Sequence, residues 1–171
     1  MKKRQNNLRL SPEIKDDYLG VEQLLDLVFT PRRKLLSSYK LRGLTNKVDK
    51  LSYVIKDKSK NVVGSIRFWS VKINNHSSDG LLLGPLAVHP IYQSEGLGEK
   101  LVSKTLNLAS AGPWNWVVLV GDVGYYSKFG FSKNPVRGIS LGAGLDDERL
   151  LGMDLSEKFL SQSTGYLIIG S

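Results

Sequence analysis

Between Leu81 and Val88 the chain reads Leu-Leu-Leu-Gly-Pro-Leu-Ala-Val, a run without a polar side chain. A half-exposed strand would alternate apolar with polar residues, so this run predicts a strand covered on both faces, at the centre of a sheet. The next segment narrows the fold further. Gln93 to Gly98 is a glycine-containing loop, and Leu97, Leu101, Val102, Leu106 and Ala109 then repeat at helical spacing until Gly112-Pro113 stops them. Trp116 to Val120 is a second short apolar strand, parallel to the first if the helix is a crossover. The predicted class is α/β with a mixed sheet. At 171 residues the chain has the length of a single domain, 1–171, and can bury a sizeable core without covalent staples.

The remaining elements are read more coarsely. Val21, Leu24, Leu25 and Val28 follow Asp16-Asp17 as a first helix, and Thr30-Pro31 opens a second that Gly43 would close. Strands are expected over Leu51–Lys56 and Val62–Ile73, and around Val136–Leu141, Leu150–Leu155 and Tyr166–Ile169. Asn74–Gly80 reads as a surface loop, with a glycosylation sequon by chance at Asn75-His76-Ser77. Residues 1–12 read as a basic, flexible tail.

Charge is uneven. The net charge is +8; residues 1–60 carry 15 basic and 7 acidic side chains, and the rest carries nine of each. Such a patch suits nucleic acid, another polyanion or an acidic substrate, and equally a solvated face. The absence of cysteine excludes disulfides, cysteine-ligated metals and thiol nucleophiles, and no metal is expected. The longest apolar run is far below the roughly 20 residues that span a bilayer, and Gln5 to Arg9 is polar where a secretion signal would be apolar, so no membrane partner and a cytoplasmic location are expected.

The chemistry concentrates at Gln93-Ser94-Glu95-Gly96-Leu97-Gly98. A helix start leaves backbone N–H groups without internal partners, and glycines at 96 and 98 let a phosphate approach them. An empty strand-to-helix turn is the competing reading. This loop resembles the Gln/Arg-x-x-Gly-x-Gly/Ala loop of the GNAT superfamily of acetyl-CoA-dependent N-acetyltransferases. Leu83 to Pro90 is similar to the strand leading into that loop, and Gly121 to Phe131 (GDVGYYSKFGF) to the family's tyrosine segment ending in Gly-Phe. The element order agrees from about residue 17 onward, and the nearest subgroup is one of small bacterial acetyltransferases with undefined substrates.

The resemblance implies a GNAT-like, mostly antiparallel sheet flanked by helices and splayed between two central parallel strands. It implies backbone pairing of the pantetheine arm with Leu86, Ala87 and Val88, and pyrophosphate binding by the amides of Gln93, Ser94, Glu95, Gly96, Leu97 and Gly98. Lys100 and Lys104 stand near enough to reach phosphates, or are simply exposed helix lysines. Tyr126 would protonate the leaving thiolate; a phenol with pKa near 10 is protonated at neutral pH. Packing beside Phe129 and Phe131 is its other reading, and Tyr125 reads as core or substrate wall.

A base is harder to assign. Many relatives place a glutamate where this chain has Leu81, Leu82 and Leu83. Glu22, through water, and His89 are the remaining candidates, with His89 read first as a turn residue before Pro90. A lysine-like amine needs roughly 4.6 kcal/mol to deprotonate at pH 7, an α-amine only about 1.

The expected function is acetyl transfer from acetyl-CoA to an amine by direct attack in a ternary complex; the alternative is a basic nucleic-acid- or polyanion-binding module without activity. A homodimer is one assembly open to it. Arg32, Arg33 and Lys34, with Arg42 and Arg67, are expected either to receive an anionic acceptor or simply to face solvent. Two further motifs fail on their own terms. Gly96-x-Gly98 lacks the third glycine of a dinucleotide fingerprint, having Leu101, and Gly138-Ile139-Ser140-Leu141-Gly142 lacks a histidine after the serine.

Overall fold

The computed structural model describes residues 7–35, 39, 42, 46–74, 79–142, 147–156 and 158–169. The sequon at 75–77, Gly43 and the basic residues 2–4 lie outside them. Strands β1 (Arg9–Pro12), β2 (Tyr53–Lys56), β3 (Val62–Ile73), β4 (Gly80–Val88), β5 (Trp116–Val120) and β7 (Leu150–Asp154) stand side by side in the order β1-β2-β3-β4-β5-β7. β8 (Gly165–Ile169) joins the far half of β3 and carries the two-residue β6 (Ile139–Ser140) in parallel. Every pair along the main order is antiparallel except β4 with β5.

Helices α1 (Tyr18–Phe29) and α2 (Leu97–Ser110) cover opposite faces. Successive strand residues point to opposite sides, and Val54 packs with Val21, Leu24 and Leu25 of α1 while its neighbour Ile55 packs with Leu97, Leu101 and Val102 of α2. The apolar β4 run is covered on both sides as predicted, with Leu81, Leu82 and Leu83 at most 2% exposed.

Two irregularities in the middle of this sheet matter most. β4 and β5 pair only over Gly80–Leu82 and Trp116–Val118, and beyond that they part. Between β3 and β4, Ile66 faces Leu86 but Phe68 faces Leu83, so β4 carries one extra residue, a bulge at Gly84-Pro85. Proline has no N–H for a ladder and suits a bulge; Gly84 takes φ +126, which favours glycine, and its carbonyl accepts from Trp69 Nε1 at 2.6 Å.

Three expectations need correction. The tail expected over 1–12 gives way to strand by Arg9, because Leu8 and Leu10 pack against the core while the charges around them hide the alternation. The second helix begins as a 3-10 turn, Pro31–Leu35: three cations in a first turn with no acid oppose the helix dipole. The strand expected over 136–141 shrinks to Ile139–Ser140, since Pro135 opens a 3-10 turn at Asn134–Val136.

Candidate functional site

Past Leu82 and Val118 the parted strands leave a cavity of about 440 Å³. The β4 bulge (Leu83 to Leu86) forms one wall, the end of β5 (Val120 to Asp122) with Tyr125 and Tyr126 the other, and Phe29, Tyr39, Arg42 and Arg149 close its ends. Among these lining residues Asp122 is the one carboxylate, and it is already engaged: it caps the short helix α3 (Val123–Tyr126), its Oδ2 accepting the Tyr125 N–H at 3.0 Å.

The glycine loop lies at the mouth of α2. Ser94 and Gly96 both take positive φ, 69° and 78°, and Gly96 is the residue before the first helical turn. A side chain at Gly96 would meet nothing within 4 Å, so the loop is open on its outer side. Gln93 is exposed, and its Nε2 donates to the Val88 carbonyl at 3.2 Å, which ties the loop to the end of β4. A methyl on Gly98 would stand 2.7 Å from the Tyr125 hydroxyl. Tyr125 therefore bridges loop and cavity, as a wall, with its phenol pKa raised by burial and by Glu99.

Tyr126 lies deeper. Its ring packs edge-on against Tyr125 and Phe131, at 4.9 and 6.0 Å between centroids. Burial pushes its pKa up to about 12, against the opposing pull of Arg42 and Arg149. The ring fits only because position 121 is glycine: a Cβ there would be 2.7 Å from Tyr126 Cε2. In the sequence Gly121 stands merely as part of a motif; a small residue between a buried strand and a tyrosine turn is the available signal.

The basic residues divide in a way charge counting missed. Arg33, 2% exposed, donates to Glu22, Asp26 (2.8 Å) and the Tyr39 hydroxyl (2.8 Å). Arg67, 5% exposed, grips Glu13 with Nε and Nη2 at 3.0 and 2.7 Å and Glu22 with Nη1 at 2.9 Å. These two are internal struts, neither solvent-facing nor lining the cavity, whereas Arg32 and Lys34 are exposed. Arg42 alone of the five lines the cavity.

Both base candidates fall outside it. Burial would raise the Glu22 pKa, but hydrogen bonds from Arg33 and Arg67 prevail and hold it below the ordinary glutamate value. His89 is the expected turn residue, its Nδ1 accepting the Ile91 N–H. Ser140 donates to Asp147 at 2.6 Å. Lys100 and Lys104 are exposed. Among the described residues no three His, Asp or Glu side chains gather as a metal site, and no helix is long and apolar enough to cross a membrane.

Known proteins share this fold. The family model for the GNAT acetyltransferase domain matches residues 49–133. The uncharacterized N-acetyltransferase YhbS of Escherichia coli strain K12 is 30% identical over 121 residues, 70% of each chain. The crystal structure of E. coli YhbS in complex with CoA superposes with a TM-score of 0.78 at 24% identity, covering 94% of this chain and 88% of that one. A GNAT family acetyltransferase from Brucella melitensis in complex with acetyl-CoA gives 0.70 at 22% identity, covering 96% of each.

Proposed function

Since the chain belongs to the GNAT family of N-acetyltransferases, we propose that it transfers the acetyl group of acetyl-CoA to a primary amine by direct attack in a ternary complex. The observation that carries this reading is the cavity between the parted β4 and β5, lined by Tyr126 and adjoining the α2 start. The relatives that hold CoA and acetyl-CoA support it.

The chain's features suit such a cosubstrate. The amides of the α2 start around the open Gly96 and the glycine at 98, within Gln93 to Gly98, would receive the pyrophosphate, while those of Gln93 and Glu95 already donate to the Pro90 and Tyr92 carbonyls. Leu86, Ala87 and Val88 pair on one edge with β3 and have no β5 partner on the other, which, apart from the Val88 carbonyl that accepts from Gln93, leaves backbone groups for the pantetheine amides. Acetyl-CoA supplies a thioester. The amine nitrogen forms a bond to its carbonyl carbon as the C–S bond breaks; Tyr126 gives its proton to the sulfur and recovers one, through solvent, from the nitrogen.

Two expected results follow. Saturating the protein with acetyl-CoA to about 100 times Kd stabilises it by about 2.7 kcal/mol, which at ~2–4 °C per kcal/mol for a domain of this size raises Tm by about 5–10 °C. No shift, with no amine acetylated in a panel of small amines, amino acids and peptides, would refute the reading.

The second concerns pH. With Asp122 committed to its cap and Glu22 held ionised by arginines, the acceptor must arrive as free base. The low-pH limb of kcat/KM should move with the pKa of whichever amine is used and stay in place in His89→Ala. A limb fixed across amines, or abolished in that variant, would show an enzyme base instead. On the other side, a phenol pKa near 12 keeps Tyr126 protonated through the neutral and mildly alkaline range.

A further inference from the structure

Three arginines among the described residues are buried, and two have their guanidinium groups filled by carboxylates: Arg67 by Glu13 and Glu22, Arg33 by Glu22 and Asp26. Arg42 is the third, 8% exposed. Among the described residues no carboxylate lies within ion-pair distance of it, and its buried Nε has no hydrogen-bond partner. Its cation rests 4.8 Å over the Tyr39 ring, which Arg33 holds through the hydroxyl. A methyl on Gly84 would stand 2.7 Å from Arg42 Nη2, so the guanidinium lies against the β4 bulge in space that only glycine leaves free. Tyr39, Gly84 and Arg42 all line the cavity that Tyr126 lines.

A cation taken out of water without a counter-charge is costly, and burial here pulls the Arg42 pKa down to about 10. Such a group is stabilised when something anionic enters. We propose that the acceptor is a small amine bearing a carboxylate, and that Arg42 receives this carboxylate inside the cavity. The inference rests on the acetyl-transfer reading above and names the substrate class for it.

Charge and size select the class. One buried guanidinium matches a monoanion, and the planar carboxylate fits its fork with two parallel hydrogen bonds, as Glu13 does on Arg67. A cavity of about 440 Å³ that also admits the acetyl end of the cosubstrate leaves room for a small molecule rather than a protein segment. Arg149, exposed and also lining the cavity, adds a second positive charge. Both guanidinium groups disfavour the ammonium form of the acceptor, which is the form that does not react.

The test uses the full chain and acetyl-CoA on matched pairs of amines, each amino acid beside its decarboxylated counterpart, with phosphoethanolamine and a short peptide as further arms. Carboxylated members should be acetylated with kcat/KM about 10²-fold above their partners. In Arg42→Gln that ratio should collapse to within about threefold, through KM, while acetyl-CoA binding measured by calorimetry stays within twofold. Arg42→Lys, which keeps the charge and loses the fork, should fall between. Equal use of both members by the wild type overturns the inference, as does preference for phosphoethanolamine or the peptide, or a ratio that survives Arg42→Gln. Should the variants fail to fold, the wild-type pairs alone decide. A protein that binds acetyl-CoA and acetylates neutral amines equally well loses only the carboxylate; one that binds no acetyl-CoA loses the acetyl-transfer reading itself.

Discussion

Tyr126→Phe is expected to lower kcat by about 10²-fold or more, the range in which a positioned general acid contributes, while leaving the Kd of acetyl-CoA within about twofold. The substitution removes one oxygen and keeps the ring that packs against Tyr125, Phe129 and Phe131, so the fold around it should persist. Neighbouring Tyr125 is not an equivalent donor: its hydroxyl stands against Gly98 at the loop. Tyr125→Phe should therefore affect acetyl-CoA binding before turnover. An unchanged kcat in Tyr126→Phe would leave that residue a packing group, and the leaving thiolate would have to take its proton from solvent.

The second large effect is on stability. Arg67→Met should destabilise the protein by about 3–5 kcal/mol, the cost of leaving a buried ion without its partner, and lower Tm by about 10 °C on the scale for this chain length. Glu13, 2% exposed at its side chain, would keep only the partly buried Lys47 at 3.4 Å. The double variant Glu13→Leu with Arg67→Met removes both charges and should recover most of the loss, because hydrophobic replacement of a whole buried pair is often neutral. An Arg67→Met protein melting with the wild type would show that the pair contributes nothing net. The same network has a pH signature. The Glu22 pKa is lowered by folding, so its contribution is present above the unfolded glutamate value near 4.3 and is lost as pH falls through the depressed value. Acid titration should therefore erode stability only below about pH 4.5, and Arg67→Met should shrink that dependence.

What could be read from the sequence was short-range. The β4 run, the glycine loop and the α2 stripe declare themselves within windows of about ten residues, and each is where periodicity put it. The fate of the arginines was not local. Arg67 meets Glu13 and Glu22 across separations of 54 and 45 residues, and composition alone presents these as surplus charge on a surface. Arg42 is a candidate for an anion on sequence grounds, but nothing near it in sequence says that Arg33 and Arg67 are consumed by internal acids while Arg42 is not. The bulge escaped notice for a related reason: Gly84-Pro85 is visible as a pair, yet only the register of β3 against β4 shows that it adds a residue and turns Gly84 toward Arg42.

The parting of β4 from β5 also bears on where the sheet leaves an edge open. A strand edge with free N–H and C=O groups is a template on which another chain can grow. At the outer rims, β1 is four residues long and ends in Pro12, and β7 is met at Gly152 by a bridge from Ser132. The long open edge, Leu83 to Val88, faces inward, in a slot floored by the three residue pairs that still join β4 to β5. A strand from outside would find little to extend at either rim, and the edge a ligand needs is kept within the slot.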